Sequence, residues 1–368
     1  MKISQLIGRE DFFKILEYTL NENSFLRRIK KTGNKSDFSS YNKLNIIFNN
    51  DYSQDAVIEL TSEYKRSKSR AKEIIQKVYV YMVIKSWFRK FLSNRKLKLD
   101  SSLKNFAVIG GNHRIRLIDR DLEKIYVLLK SGENSKFVRN DIVARFNNNI
   151  SYAPKILEHG CDWLIESYIR GTPLNRLDAK TQERATISII KKHLNYLLIP
   201  TRKELSLNIY LSAARKEISD LVDLIIKDNL EGNNILNWMI EIEERLLNIG
   251  RTSIDVCMSH GDFQLGNIRI SETGEPYVLD WEASDTRFYL YDLFVILGGI
   301  RTGVSFENSF EVFLKKINGF DKSWVRYSPY FIKAIFSIEE LKFNLYEDVS
   351  ASYFQQGNKS LKFIESIV

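Results

Sequence analysis

From Phe106 to Lys130, the chain consists of short, mainly hydrophobic runs that are separated by polar or glycine-containing turns. The segments FAVIGG, RIRLID and KIYVLLK have the length and β-rich composition of strands, and turns around Gly111 and Asp121 separate them. This pattern predicts an antiparallel meander. A helix is expected near 135–147, followed by two more strands in KILEHG and WLIESYI. The segment 105–170 is therefore predicted to be a small β-rich lobe.

Helical periodicity dominates the rest of the chain. Apolar residues recur every three to four positions in EISDLVDLIIKD and ILNWMIEIEERLLNI, and residues 288–366 are again mainly helical and rich in aromatics. Residues 1–104 are also predicted to be mainly helical. The chain is therefore expected to have an α+β fold. It combines an N-terminal helical extension (1–104), the small β lobe (105–170) and a larger helical lobe (171–368) that carries one β-hairpin.

The composition is that of an ordinary soluble globular protein. Of the 368 residues, 44% are hydrophobic and 27% are charged. No apolar run approaches the roughly 20 residues needed to cross a bilayer, and the start MKISQLIGREDFFKIL lacks the apolar core of a secretion signal. The two cysteines, Cys161 and Cys257, show neither a disulfide framework nor zinc-site spacing. We therefore expect a cytoplasmic protein.

Positive charge is concentrated in the N-terminal third. Residues 1–104 hold 22 Lys and Arg against 11 Asp and Glu, while the whole chain has a net charge of +9. Within this third, residues 65–98 contain 12 basic residues and one acidic residue. Such a segment is typical of a contact with an anionic acceptor or a membrane surface, or of a solvated basic helix face. Nucleic acid is not expected, because single-strand binding favours basic strands with interleaved aromatics and 65–98 is predicted to be helical.

Polar residues cluster beside a predicted hairpin. The stretches SHGDFQLGNIRI (259–270) and YVLDWE (277–282) flank a turn that contains Gly274. A hairpin centred on this turn sets Asn267 opposite Asp280. Directly opposed Cβ atoms lie ~5 Å apart, which allows an amide oxygen and a carboxylate to share one cation. The pattern predicts a Mg²⁺–phosphate site, because Mg²⁺ prefers oxygen ligands.

Two further features agree with such a site. Asp262 lies on a glycine-flanked loop five residues before Asn267, which allows it to fold back toward the same cation. The chain has only four histidines, and they are far apart in sequence, so a multi-histidine metal site is not expected. A metal would therefore be held by oxygen ligands.

The order of these residues resembles the signature of the aminoglycoside phosphotransferase and choline kinase superfamily, relatives of protein kinases. The pattern is a histidine, an aspartate, an asparagine and, after a short gap, an aspartate that closes a strand; His260, Asp262, Asn267 and Asp280 match it. The resemblance implies a bilobal, protein-kinase-like fold. It also implies that Asp262 is the catalytic carboxylate, and that Asn267 and Asp280 bind Mg²⁺ on the phosphates of ATP.

The small lobe matches this family only in part. Lys130 follows the third strand of the meander, where the resemblance implies a lysine that binds the α- and β-phosphates, although a solvated strand end also fits. The loop VIGGNH, with Gly110 and Gly111, would cover the phosphates, but it lacks the full glycine pattern and also fits a plain turn. The following helix has no glutamate to pair with the lysine. Asp141 is an approximate substitute, and Glu133 is nearer but precedes the helix.

Two other segments resemble parts of the family. WLIESYIRGTPL resembles the hinge between lobes, which implies that the Ser167 carbonyl and the Ile169 N–H hold adenine. TRFYLYDLFVI resembles the segment in which an aspartate, here Asp292, braces the catalytic loop. Glu282 is either a second acidic residue near the metal or an exposed turn carboxylate.

These observations favour an ATP- and Mg²⁺-dependent phosphotransferase that acts on a hydroxyl of a small molecule or saccharide. A kinase-like scaffold without turnover is an alternative, which the missing helix glutamate supports, and a protein kinase is another. The aromatic stretch from Trp324 to Phe331 fits either an acceptor-stacking surface or a core. The sequence leaves the acceptor, the nucleotide preference and the oligomeric state open.

Overall fold

The computed structural model describes residues 10–26, 33–41, 44, 46–62, 70–111, 113–225 and 229–352. The chain forms two compact units. The first comprises Met1–Ala185 and Ile268–Glu282, and the second comprises Thr186–Asn267 and Ala283–Val368. The N-terminal segment and the β lobe therefore share one unit, and the hairpin predicted to lie in the helical lobe belongs to that unit as well.

An antiparallel sheet forms the centre of the first unit in the described part of the chain. Its strands are β1 (Lys35–Tyr41), β2 (Ile46–Asn49), β3 (Arg95–Asp100), β4 (Phe106–Gly110), β5 (Arg114–Asp119), β6 (Lys124–Leu129), β7 (Ile156–His159) and β8 (Trp163–Ser167). They lie in the order β3-β1-β2-β4-β5-β6-β8-β7, and each neighbouring pair is antiparallel. The predicted meander is confirmed as β4-β5-β6, and the two further strands are confirmed as β7 and β8.

In its described residues, the N-terminal third combines the expected helices with three strands that the sequence did not predict. It contains α1 (Glu10–Glu22), α2 (Gln54–Ser62), α3 (Arg70–Ile84) and α4 (Ser86–Leu92), but β1, β2 and β3 extend the sheet. The sequence of β1, KSDFSSY, is largely polar, so its own β propensity is weak and pairing with β2 and β3 decides its conformation. The basic segment 65–98 accordingly ends in β3, and residues 65–69 lie outside the described residues.

Helices α2 and α3 share a hydrophobic core with the sheet. Val57 on α2 and Val80 and Val83 on α3 are fully buried together with Ala107 on β4 and Ile118 on β5. Val80 and Val83 therefore pack α3 against the sheet, whereas Val78 and Tyr81 on the same helix are exposed. No helix among the described residues is long and apolar enough to span a membrane.

The hairpin has a different register from the predicted one. Strands β12 (Ile268–Ser271) and β13 (Pro276–Val278) form a small sheet with β9 (Gly171–Pro173). Ile268 pairs with Val278, whereas a turn centred as predicted would pair it with Leu279. The reason is a three-residue loop: Ser271 N–H donates to Glu275 O at 2.9 Å, and Gly274 has a φ of +86°.

This register corrects the argument from direct opposition. The described strand pairs end at Ile268 and Val278, so the strand pairing does not set Asn267 opposite Asp280. Asn267 ends a 3₁₀ turn (Leu265–Asn267) just before β12, and Asp280 lies beyond β13. Their role as metal ligands stays a prediction that rests on the motif alone.

The second unit is mainly helical around a three-stranded sheet, within the described residues. Its strands, in the order β10-β11-β14, are β10 (Lys203–Ser206), β11 (Ser253–Ser259) and β14 (Asp285–Phe288). The helices are α6 (Ala179–His193), which begins in the first unit, α7 (Ile199–Thr201), α8 (Leu207–Ile225), α9 (Asn229–Leu247), α10 (Tyr291–Gly298), α11 (Phe306–Ile317) and α12 (Pro329–Ser352). Helix α5 (Lys136–Arg145) belongs to the first unit. The predicted α+β class is confirmed.

Aromatic side chains fill the core of the second unit. Phe294 stacks on Phe336 with ring centroids 4.3 Å apart, and Phe313 meets both rings edge-on. Tyr327 and Phe331 are also buried and stacked on each other. These two members of the C-terminal aromatic stretch therefore serve the core rather than an acceptor.

Candidate active site

A buried aspartate anchors the loop that follows β11. Asp292, in the first turn of α10, accepts hydrogen bonds from the backbone N–H of His260 (2.7 Å) and Gly261 (3.0 Å). The Ser259 hydroxyl and His193 Nε2 also lie 2.7 Å from its carboxylate oxygens. Burial alone would raise the pKa of Asp292, but the hydrogen bond and charge of His193 outweigh it and lower the pKa to about 2. The prediction that Asp292 braces this loop is confirmed.

The braced loop presents Asp262. One carboxylate oxygen, Oδ2, accepts hydrogen bonds from Asn267 Nδ2 (2.8 Å) and Gln264 Nε2 (2.7 Å). The other, Oδ1, accepts one from Arg301 Nε at 3.1 Å. The Asp262 side chain is 19% exposed. The carboxylate is thus held in one orientation and still reaches the surface of its unit, as a general base requires.

Arg301 is a site residue that the sequence reasoning missed. It contacts Asp262 on one side and forms an ion pair with Glu340 on α12 on the other. Its guanidinium also donates to the Tyr291 hydroxyl at 3.0 Å and lies 3.7 Å from the centroid of the Phe343 ring. These contacts bury Arg301 and lock its position, so it orients the Asp262 carboxylate. The segment GGIRTG carries no motif that would have identified it.

The first unit holds Asp280 beside two arginines of β5. Arg116 donates to Asp280 Oδ1 at 2.5 Å and Arg114 donates to the same oxygen at 3.3 Å. Arg114 Nε also donates to Glu282 at 3.0 Å. The Glu282 side chain is only 12% exposed, so the interpretation as an exposed turn carboxylate is wrong. Burial and the neighbouring charge of Asp280 raise the pKa of Glu282, although Arg114 and other cations oppose this.

Helix α5 joins the same ion network. Asp141, which the sequence offered as a partner for Lys130, instead pairs with Arg114 and with Arg145. Arg145 in turn donates to Glu166 on β8 at 2.6 Å. Burial disfavours the charged form of Asp141, but Arg145 and Arg114 outweigh it and lower the pKa of this carboxyl. The network therefore connects β5, α5, β8 and the residues that follow the hairpin.

Lys130 has a different environment. Lys130 is only 4% exposed, so the interpretation as a solvated strand end is wrong. It lines a cavity of about 190 Å³ together with Thr19, Asn23 and Asp162. Burial lowers the pKa of Lys130 to about 8, against the opposing charges of Glu133 and Glu282. Its role as the phosphate ligand stays a prediction.

The remaining predicted nucleotide contacts are backbone positions. Gly110 ends β4, and Gly111 N–H donates to Arg114 O at 2.8 Å, which closes the turn between β4 and β5. Ser167 ends β8, and Tyr168 N–H next to it donates to Glu123 O at 2.8 Å. Contacts of Gly110 and Gly111 with phosphates, and of Ser167 and Ile169 with adenine, stay predictions.

The donor chemistry fits a hard cation. Asn267 points its amide nitrogen at Asp262, toward both the backbone carbonyl (2.9 Å) and the carboxylate (2.8 Å), which turns its amide oxygen away from Asp262. Asp280 offers a carboxylate that is 28% exposed. Within the described ranges, no group of three His, Cys, Asp or Glu side chains is arranged to hold a metal.

Comparisons with known proteins identify the family. The model of the APH phosphotransferase enzyme family matches residues 141–326, half of the chain. No curated protein matches the sequence significantly. Similar solved structures include choline kinase LicA from Streptococcus pneumoniae (16% identity, TM-score 0.49, covering 70% of this chain and 89% of that chain). Others are an ethanolamine kinase from Plasmodium vivax (15%, 0.47, 86% and 94%) and a gentamicin complex of APH(2'')-IIa (14%, 0.46, 69% and 91%). The assignment rests on the family match: the chain belongs to the APH phosphotransferase enzyme family and is a phosphotransferase.

Proposed function

We propose that the protein transfers the γ-phosphate of ATP to a hydroxyl group of a small molecule or saccharide, with Mg²⁺ as the metal. The observation that carries this proposal is the setting of Asp262. Its two carboxylate oxygens are oriented by Asn267, Gln264 and Arg301, on a loop anchored to the buried Asp292. A carboxylate fixed in this way aligns an acceptor hydroxyl and takes its proton.

The other roles follow the motif. Asn267 and Asp280 are proposed to hold the metal through an amide and a carboxylate oxygen. When bound, Mg²⁺ neutralises negative charge on the phosphates and orients them. The backbone of Gly110 and Gly111 is proposed to contact phosphates, and the backbone of Ser167 and Ile169 to contact adenine. These residues would contribute to catalysis mainly by positioning the phosphates and the acceptor, because phosphoryl transfer needs little covalent chemistry from the protein.

The test separates an enzyme from a scaffold. Transfer from labelled ATP is measured against a panel of hydroxylated metabolites, including choline, ethanolamine and gentamicin, which the names of the similar structures supply. The variant Asp262→Asn should lower transfer by roughly 10²–10⁴-fold while ATP affinity survives, because it keeps the shape and removes the base. Asp223→Asn, an exposed aspartate on α8, is the matched control. Equal transfer by wild type and Asp262→Asn would remove this residue from the mechanism.

Binding measurements complete the test. ATP should bind the wild type more tightly with Mg²⁺ than with a chelator, and Asp280→Ala should abolish most of that difference, since the remaining amide is a weak ligand for a hard cation. Magnesium-independent binding would contradict the metal site. ATP binding with no transfer to any acceptor would favour the scaffold.

We also propose that the basic segment 65–98 contacts an anionic membrane surface. Its described part exposes apolar side chains among its basic residues: Ile74, Ile75, Val78 and Tyr81 on α3, and Trp87 and Phe91 on α4. Trp87 is 64% exposed and Phe91 is 82% exposed. Lys77, Arg95 and Lys96 of the same segment are exposed as well. Exposed aromatic and aliphatic side chains near basic ones are typical of interfacial binding to anionic lipid.

Vesicle sedimentation tests this surface. The wild type should bind vesicles that contain phosphatidylserine more strongly than pure phosphatidylcholine vesicles, and added salt should weaken the binding. The double variant Trp87→Ser/Phe91→Ser should lose most of it, whereas Val325→Ser, which removes an apolar side chain exposed on the second unit, should not. Equal binding by the double variant would exclude this surface.

A further inference from the structure

Strand register places both arginines of β5 on one face of the sheet. Arg114 pairs with Leu129 and Arg116 pairs with Val127, so these four side chains share one face of the sheet. We call it the arginine face. Ile125 lies on the same face and pairs with Glu166, which adds Glu166 to it. Lys130 follows Leu129, the last residue of β6, and lines the cavity with Thr19, Asn23 and Asp162, although the charge of Glu282 still acts on its ammonium group.

The contacts agree with this assignment. Glu166 on the arginine face is 2.6 Å from Arg145 of α5, and Arg114 pairs with Asp141 of the same helix. The opposite face carries Tyr126, whose ring lies 5.2 Å from that of Phe25, a residue just after α1. The cavity that Lys130 lines is also bordered by Thr19 of α1. Helix α5 therefore covers the arginine face, and the segment around α1 covers the opposite face and borders the cavity of Lys130.

The residues that follow the hairpin also meet the arginine face. Asp280 is bound by Arg116 at 2.5 Å and Glu282 by Arg114 at 3.0 Å. In a kinase-like lobe, the phosphate-binding cation is the one that pairs with the helix carboxylate and lies beside the metal-binding aspartate. In this chain, Arg114 pairs with Asp141 of the helix, and both arginines contact Asp280.

Arg116 is the more available of the two arginines. The Arg114 side chain is 2% exposed and forms ion pairs with Asp141, Asp280 and Glu282. The Arg116 side chain is 17% exposed and borders the turn between β4 and β5. A Cβ on Gly111 would lie 3.2 Å from Arg116 Nη1, so the glycine gives this guanidinium room beside the turn predicted to cover the phosphates.

We infer that Arg116 on β5 supplies the cation that binds the nucleotide phosphates, in place of Lys130 on β6, and that Arg114 is the positioning residue that ties it to α5. The inference rests on the proposed function, because it assumes that a nucleotide binds. A guanidinium suits this task, since its planar donors match phosphate oxygens in pairs. The family match begins at residue 141, so it covers neither β5 nor Lys130 and leaves this position to the structure.

Calorimetry with Mg·ATP and with adenosine tests the inference. Arg116→Gln should raise the Kd for Mg·ATP by about tenfold to hundredfold, the worth of a charge-assisted hydrogen bond. The Kd for adenosine should change by less than about twofold, because adenosine has no phosphates. Arg116→Lys should lie between the wild type and Arg116→Gln. Lys130→Met should change the Kd for Mg·ATP less than Arg116→Gln does.

Arg139→Gln is the matched control, because Arg139 is an exposed arginine on α5 and its replacement removes the same charge. If Arg116→Gln does not fold, Arg116→Lys decides: weaker Mg·ATP binding with adenosine binding retained supports the inference, and wild-type affinity overturns it. Unchanged or tighter Mg·ATP binding by Arg116→Gln, or a larger loss in Lys130→Met, also overturns it. A wild type that binds no ATP contradicts the proposed function itself, and the inference falls with it.

Discussion

Two buried aspartates, one in each unit, are stabilised in different ways. Asp292 in the second unit is surrounded by backbone N–H groups, a hydroxyl and the His193 ring. Asp141 in the first unit is held between two guanidinium groups, those of Arg114 and Arg145. The first arrangement ties down a single loop, whereas the second connects several elements through charges.

The difference shows what each region is suited for. Hydrogen bonds from its own backbone N–H groups to Asp292 hold the loop of Asp262 in one conformation, which suits the general base proposed for Asp262. Ion pairs among Arg114, Arg116 and the carboxylates can be exchanged, because a phosphate oxygen can replace a carboxylate as the partner of a guanidinium. Rigid positioning is therefore a property of the loop of Asp262, and exchangeable charge is a property of the sheet of the first unit.

The largest effect is expected for Asp292→Ala. The change leaves the Ser259 hydroxyl and the His260 N–H without this acceptor in a buried site, and the Gly261 N–H with only the Ser259 hydroxyl, which should destabilise the second unit by about 4 kcal/mol. Hydrogen–deuterium exchange should accelerate in β11 and leave β5 and β6 unaffected. Asp223→Ala, on the surface of α8, is the control. Equal acceleration in both units would mean that the brace is not local to its loop.

A smaller loss is expected for Arg114→Met in the first unit. It leaves Asp141 and Glu282 with one fewer cation, and should destabilise the unit by about 3 kcal/mol, since Arg145 still neutralises part of the charge. Exchange should accelerate in β5 and β6 and not in β11. Arg139→Met serves as the control for the loss of an arginine. Wild-type exchange in Arg114→Met would show that the ion network contributes nothing to stability.

The smallest expected effect is a decrease in the free energy of unfolding at acidic pH. The pKa of Asp292 falls from its ordinary value of 3.8 to about 2 in the folded protein. A depressed carboxyl pKa stabilises the folded state above the unfolded pKa, and this stability is lost as the pH falls from about 4 toward 2; the contribution is about 2 kcal/mol. Denaturant unfolding between pH 6 and pH 2.5 should show this loss in the wild type. Asp292→Asn should lack this part of the pH dependence, and an identical pH profile in both proteins would contradict the assignment.

Local patterns predicted well wherever neighbours in sequence determine the contacts. The meander β4-β5-β6 and the strands β7 and β8 formed as expected, because short alternating runs between turns have few other solutions. The brace of Asp292 was expected from the resemblance of TRFYLYDLFVI to a segment of the family, and not from local pattern, since its partner His193 is far away in sequence. The predicted register of the hairpin was wrong by one residue. The sequence alone did not distinguish a three-residue loop, with Gly274 in the left-handed region, from a longer turn.

Motif spacing and hydrophobic period are local properties of the chain, and they were enough to predict the family, the α+β class and the loop that presents Asp262. Long-range packing determined that β1, β2 and β3 extend the sheet and that Arg301 orients Asp262. It also decided that Asp141 pairs with arginines rather than with Lys130. These outcomes depend on which side chains from distant parts of the sequence share a face of the sheet. Pairing between separate strands determines that arrangement, and no short window of the sequence contains this information.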